Sequence, residues 1–132
     1  MTVFEKTTHG ITVLVEPEFL EEESSPEDSH YVWTYHVTIR NNTNRPVRLQ
    51  SRYWRITDAT GAVHEVSGEG VVGEKPLLGP GAQYEYSSGA PLRTATGFMG
   101  GSYEMYDDND RKMTVDIPLF SLDSPYQKSV LH

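Results

Sequence analysis

From Tyr31 to Ile39 the chain alternates without a break. Tyr31, Trp33, Tyr35, Val37 and Ile39 take one side; Val32, Thr34, His36 and Thr38 take the other. Only an extended backbone sends every second side chain to the same face. One face is large and apolar and the other is mostly polar, as in an antiparallel sheet with a single buried side. Shorter versions of the pattern recur. Ile11, Val13 and Val15 share a side, and Pro17 either ends that strand or marks an edge. Asn41 to Pro46 reads as a turn, Val47 to Thr57 as a strand with Trp54 and Ile56 on one side, Asp58 to Gly61 as a second turn, and Ala62 to Val66 as the returning strand. Gln83 to Ser87 and Phe98 to Tyr106 read as further strands. After the polar turn Asp107 to Asp110, Lys112 to Leu119 is the last, with Met113, Val115 and Ile117 on one side and Pro118 ending it.

No segment combines a helical period with caps. About seven or eight short strands separated by turn signals is the pattern of an all-β sandwich of two antiparallel sheets. A length of 132 residues fits a single domain, residues 1–132. Two segments fall outside the pattern. Residues 18–29, EFLEEESSPEDS, are acidic and nearly free of apolar side chains after Leu20, so residues 21–29 are expected to be a mobile, solvated loop. A cation-binding loop is the alternative, but the spacing and central glycine of a calcium loop are missing. Residues 123–132 are expected to form an irregular tail.

The glycines gather in one region. Between Val66 and Met105 lie Gly68, Gly70, Gly73, Gly79, Gly81, Gly89, Gly97, Gly100 and Gly101, together with Pro76, Pro80 and Pro91. Gly68-Glu69-Gly70-Val71-Val72-Gly73 matches G-x-G-x-x-G. In a dinucleotide site that motif opens a helix whose N-terminus holds the pyrophosphate. Pro76 and Gly79-Pro80-Gly81 leave no room for the helix, so the dinucleotide reading fails on context. Two readings remain: a tightly folded connection whose Val71 and Val72 suit a protein partner, or a nest of backbone amides that holds a phosphorylated ligand.

Five arginines fall between Arg40 and Arg55. Arg48, Gln50 and Arg52 are expected to share one face of their strand, where guanidinium forks suit phosphate or carboxylate; neutralising local acids is the plainer role. With Lys75 and Arg93 they complete the candidate ligand set: Gly68, Gly70, Gly73, Lys75, Arg48, Arg52 and Arg93. His9, His30, His36, His64 and His132 show no metal-ligand spacing. No G-x-S-x-G or other nucleophile arrangement is present, so neither a catalytic residue nor a cofactor is expected. A net charge of −8 disfavours nucleic acid as a partner. The absence of cysteine excludes disulfides. No apolar run is long enough to span a membrane, and MTVFEKTTHGITV lacks a signal-peptide pattern, so the expected compartment is the cytoplasm.

The blocks SRYWRITDATG, VVGEKPLLGPGAQYEYSSGAPLRTATGFMGGSYEM and IPLFSL, in that order, resemble the ApaG family over Phe4 to Leu122. The resemblance implies an immunoglobulin-like or fibronectin-type-III-like sandwich. The same domain occurs in some eukaryotic F-box proteins as a recognition module. Bacterial members are linked genetically to cobalt resistance and magnesium efflux, and to an operon that includes a diadenosine tetraphosphate hydrolase. The family's glycine motif falls on Gly68, Gly70 and Gly73. Tyr53 stands where the family commonly has histidine, and Ala90 where it commonly has cysteine, so the resemblance implies no metal site at either position. The expected activity is that of a non-catalytic binding module with an unidentified protein partner; the alternative is a binder of a nucleotide or pyrophosphate.

Overall fold

A computed structural model describes residues 2–126. The end of the expected irregular tail, residues 127–132, lies outside them. Nine strands form two antiparallel sheets: β1 (Phe4–Thr8), β2 (Ile11–Phe19), β3 (Tyr31–Asn41) and β7 (Gln83–Leu92) in one, and β5 (Val63–Glu69), β4 (Val47–Asp58), β8 (Gly97–Asp107) and β9 (Lys112–Leu122) in the other. The two-residue β6 (Leu77–Leu78) pairs with the start of β4. The sandwich expected from the alternation is therefore the fold.

The core lies where the two apolar faces meet. Trp33, Tyr35, Val37 and Ile39 of β3 are buried, as the alternation requires, and so are Ile11, Val13 and Val15 of β2. Three aromatic rings bridge the sheets: Tyr35 lies 5.1 Å from Trp54 and 6.1 Å from Phe120, and Trp54 meets Phe120 edge-on. Asn41 closes β3 instead of opening a turn. Its buried amide donates to the carbonyls of Arg45, Leu78 and Gly79, and its oxygen accepts from Thr43, so a buried polar side chain staples three segments.

Pro17, read as ending its strand or marking an edge, marks an edge, and Pro118, read as ending its strand, lies inside one. β1 stops opposite Val15, so β2 is already an edge at Pro17 and continues to Phe19 against β3 alone. Pro118 lies within a register shift of β9 against β8, and β9 runs on to Leu122 at the edge of its sheet. The shift reverses which side chains face inward, so Ile117 and Phe120 are both buried while Leu119 is exposed.

A second irregularity changes the arginines. β4 shifts register between Leu49 and Ser51, leaving Gln50 unpaired. Leu49 opposes Met105 and Arg52 opposes Tyr103, both of them buried residues of β8, whereas Arg48 opposes Tyr106. Arg52 is therefore on the inner face and Arg48 on the outer. The shared face expected for Arg48, Gln50 and Arg52 does not exist, because one inserted residue inverts a period of two.

Residues 21–29 form two short 3-10 turns, Glu21–Glu23 and Pro26–Asp28, closed by paired backbone bonds between Ser25 and His30. None of their side chains is buried. Tyr126 reaches back to the Glu21 carboxylate, so the start of the tail is bonded to this segment.

Candidate functional site

β9 packs against β1 and β2, which closes one side of the sandwich. The other side is open between the edge strands β5 and β7. β5 projects beyond the opposing sheet: every residue from Val63 to Glu69 is exposed except half-buried Gly68. Val63 and Val66 keep 39% and 45% of their surface in water. β5 pairs with β4 alone, so one row of its backbone donors and acceptors faces solvent.

The glycine motif is the continuation of this edge. Gly68 belongs to β5, and the chain then turns back on itself. Val71 donates to the Glu74 carbonyl at 2.8 Å and Glu74 donates to the Val71 carbonyl at 2.9 Å, a two-residue hairpin with Val72 and Gly73 at its tip. Both tip residues have positive φ, 48° and 78°, the combination that matches strand twist in tight hairpins. A β-branched residue rarely adopts such an angle. Val71 is fully buried and anchors the hairpin, whereas Val72 is 66% exposed. Gly70, at φ 64°, is required sterically as well, since a Cβ there would collide with the Glu74 carbonyl oxygen.

Most polar groups of this hairpin are engaged internally. The Gly70 amide donates to the carbonyl of the bulged Gln50 at 2.9 Å. Arg52 lies over Gly68 and donates to the carbonyls of Glu69 and Gly70, at 3.1 and 2.8 Å. Arg48 donates to the Lys75 carbonyl at 2.8 Å, and Lys75 pairs with the Glu69 carboxylate at 3.3 Å. The structure thus brings Gly68, Gly70, Gly73, Arg48, Arg52 and Lys75 to one end of the open side. Arg93 is not with them. It follows β7 at the opposite end, near Asp58, and the stretch from Arg48 to Asp58 spans about 30 Å of strand.

Behind the hairpin lies a cluster of phenols. The hydroxyls of Tyr86 and Tyr103 are hydrogen-bonded to one another, and Tyr35 is buried as well. Burial pushes all three phenols above their ordinary range, with the Arg52 guanidinium pulling weakly the other way.

Comparison with known proteins follows the same lines. A family model described as the ApaG domain matches residues 21–107. The chain belongs to the ApaG family. It is 55% identical to Protein ApaG of Parvibaculum lavamentivorans over 98% of this chain and 100% of that protein, and 52% identical to Protein ApaG of Brucella suis over the same shares. Among solved structures, a putative ApaA protein from Bordetella pertussis superposes with a TM-score of 0.86 at 40% identity, covering 94% of this chain and 99% of that one.

Sequence reasoning found the glycine motif but not the edge beside it. Val63 and Val66 carry little signal alone, because their exposure follows from how far β5 overhangs the facing sheet.

Proposed function

We propose that this ApaG-family domain is a non-catalytic cytoplasmic module that recognises a protein partner, taking an extended segment of it along the free edge of β5 beside the Val72 hairpin. The observation that carries this reading is β5 itself. It is seven residues long, unpaired on one side, exposed along nearly its whole length and without proline or lysine, the devices that usually block such an edge. Strand addition draws affinity from main-chain bonds and specificity from side chains such as Val63, Val66 and Val72. We read the strand order as immunoglobulin-like or fibronectin-type-III-like, an architecture shared by many recognition domains. A protein is favoured over a phosphorylated ligand because the amides of Gly70, Val71 and Glu74 are already bonded within the chain, as are the side chains of Arg48, Arg52 and Lys75. The link to cobalt and magnesium implied by the family resemblance is then carried by the partner.

The test is capture from a native-cell lysate by the parent domain, by Val66→Lys and by a Leu119→Ser control on the far edge. The expected result is a protein retained by the parent and the control and lost by Val66→Lys. Equal capture by all three removes the β5 edge from the reading.

A further inference from the structure

The end of the open side away from the glycine hairpin carries a separate cavity of about 380 Å³. Its floor is apolar: Ile56 of β4, with Pro91 and Leu92 of β7. Its rim holds His30, just before β3, His64 of β5 and Arg93 after β7. These residues are distant in sequence. The sandwich brings them together because His64 opposes Ile56 in one sheet, while Tyr31, next to His30, opposes Leu92 in the other. The walls are braced, since Ala59 in the turn after β4 donates to Thr94 Oγ1 in the loop after β7 at 3.1 Å.

Arg93 puts a permanent cation on the rim of this acidic protein. No ion pair or side-chain hydrogen bond among the described residues engages His30, His64 or Arg93. The carboxylate on the rim is Asp58, whose Oδ1 accepts from the Thr60 hydroxyl and from the amides of Thr60 and Ala62, at 2.6, 2.8 and 3.1 Å. Those bonds, the Thr60 hydroxyl first, hold its carboxyl below the usual range and commit one of its oxygens to the turn. Other acids have partners of their own: Glu65 accepts from the Tyr53 hydroxyl, Asp28 from Ser25, and Asp123 from Ser121.

We propose that the cavity bounded by His30, His64, Arg93, Ile56, Pro91 and Leu92 binds a small anion, a carboxylate or phosphate monoester, that carries a compact apolar group. The volume lies at the lower end of small-ligand sites, which run from about 300 to 1,000 Å³. The apolar floor takes the body of the ligand, and the guanidinium takes its anionic head as a bidentate partner. His30 and His64 stand beside it on the rim, where their ring N–H groups can donate to the same head. The cavity takes only His64 from β5, and its ligand does not depend on a partner strand adding to that edge.

The experiment follows the ring C–H resonances of His30 and His64 by NMR while phenyl phosphate, benzoate, inorganic phosphate and benzyl alcohol are titrated. Phenyl phosphate or benzoate is expected to give saturable shifts. Which of the two binds more tightly separates the phosphate from the carboxylate source. Arg93→Gln, at an exposed position, should stay folded and lose at least about tenfold in affinity. His30→Gln combined with His64→Gln, followed by the backbone amides of Leu92 and Arg93, should weaken binding while some remains. The proposal is overturned if neither aryl anion saturates, if Arg93→Gln binds like the parent, or if benzyl alcohol or inorganic phosphate binds as tightly as the aryl anions.

Discussion

Replacing Val72 with asparagine should make this protein more stable. Val72 sits at φ 48° on the tip of the glycine hairpin. The left-handed region costs a residue with a Cβ about 1–2 kcal/mol, and a β-branched one is least suited to it. Asparagine tolerates the angle and removes most of that cost. Against this stands the burial that valine loses. With 66% of Val72 exposed, about a third of the roughly 1.5 kcal/mol gained by fully burying such a side chain is at stake, or about 0.5 kcal/mol. The net expectation for Val72→Asn is a gain near 1 kcal/mol, which raises the melting temperature of a domain this size by about 3–5 °C. Glycine relieves the same angle but adds about 0.5–1 kcal/mol of chain entropy to be lost on folding, so Val72→Gly should be nearly neutral. Two neighbours calibrate the scale. At Gly73 no atom lies within 4 Å of an added Cβ, so Gly73→Ala should cost only the left-handed penalty. At Gly70 the Cβ also meets the Glu74 carbonyl, so Gly70→Ala should cost distinctly more. Thermal unfolding followed by circular dichroism reads all four variants. A lower melting point for Val72→Asn than for the parent refutes the reasoning, because the strain would then not exist. If the asparagine variant is stabilised and also loses its partner, Val72 is held at a cost in stability because its side chain is recognised.

Two further outcomes follow from the core and from the acidic segment. Tyr35, Tyr86 and Tyr103 have phenols raised above the ordinary 10.0, so the folded state keeps protons that the unfolded chain releases. Stability is therefore fully present below pH 10 and should fall as pH climbs past it, by up to about 1.4 kcal/mol per pH unit for each tyrosine; a denaturation midpoint unchanged between pH 9 and pH 11 contradicts the burial. Replacing residues 21–29 with a short Gly-Ser linker should lower stability by less than about 1 kcal/mol, because the segment buries no side chain; a fall of many degrees in melting temperature would show instead that the Tyr126–Glu21 bond, or the part-buried Ser24 hydroxyl, which donates to the Leu20 carbonyl and accepts from the Val32 amide, supports the core.

The identity of the strands was legible because burial in a sandwich imposes a period of two, and β3, β2 and the end of β4 keep it. Pro17 was legible as an edge, whereas Pro118 misled for a local reason. Proline deletes one donor, which ends a strand only where that donor is needed; at Pro17 the neighbouring strand has already stopped, and Pro118 lies in a shifted register at a sheet edge. The glycine motif was correctly separated from a dinucleotide fold by the absence of a helix after it. Its hairpin form was harder to see, since Val-Gly is not a favoured pair for a tip with two positive φ angles.

The alternation of side chains determined the sheet class and the inward faces of β2, β3 and most of β9, because burying one face is the same requirement wherever the strand lies. The placement of Arg52, the overhang of β5 and the meeting of His30, His64 and Arg93 were decided by tertiary structure alone. A single unpaired residue at Gln50 inverts every face beyond it. The free edge exists only because β9 covers β1 and β2 on one side and nothing covers β5 among the described residues. The cavity exists only because two strands of opposite sheets end side by side, and local sequence carries no record of which strand ends will meet.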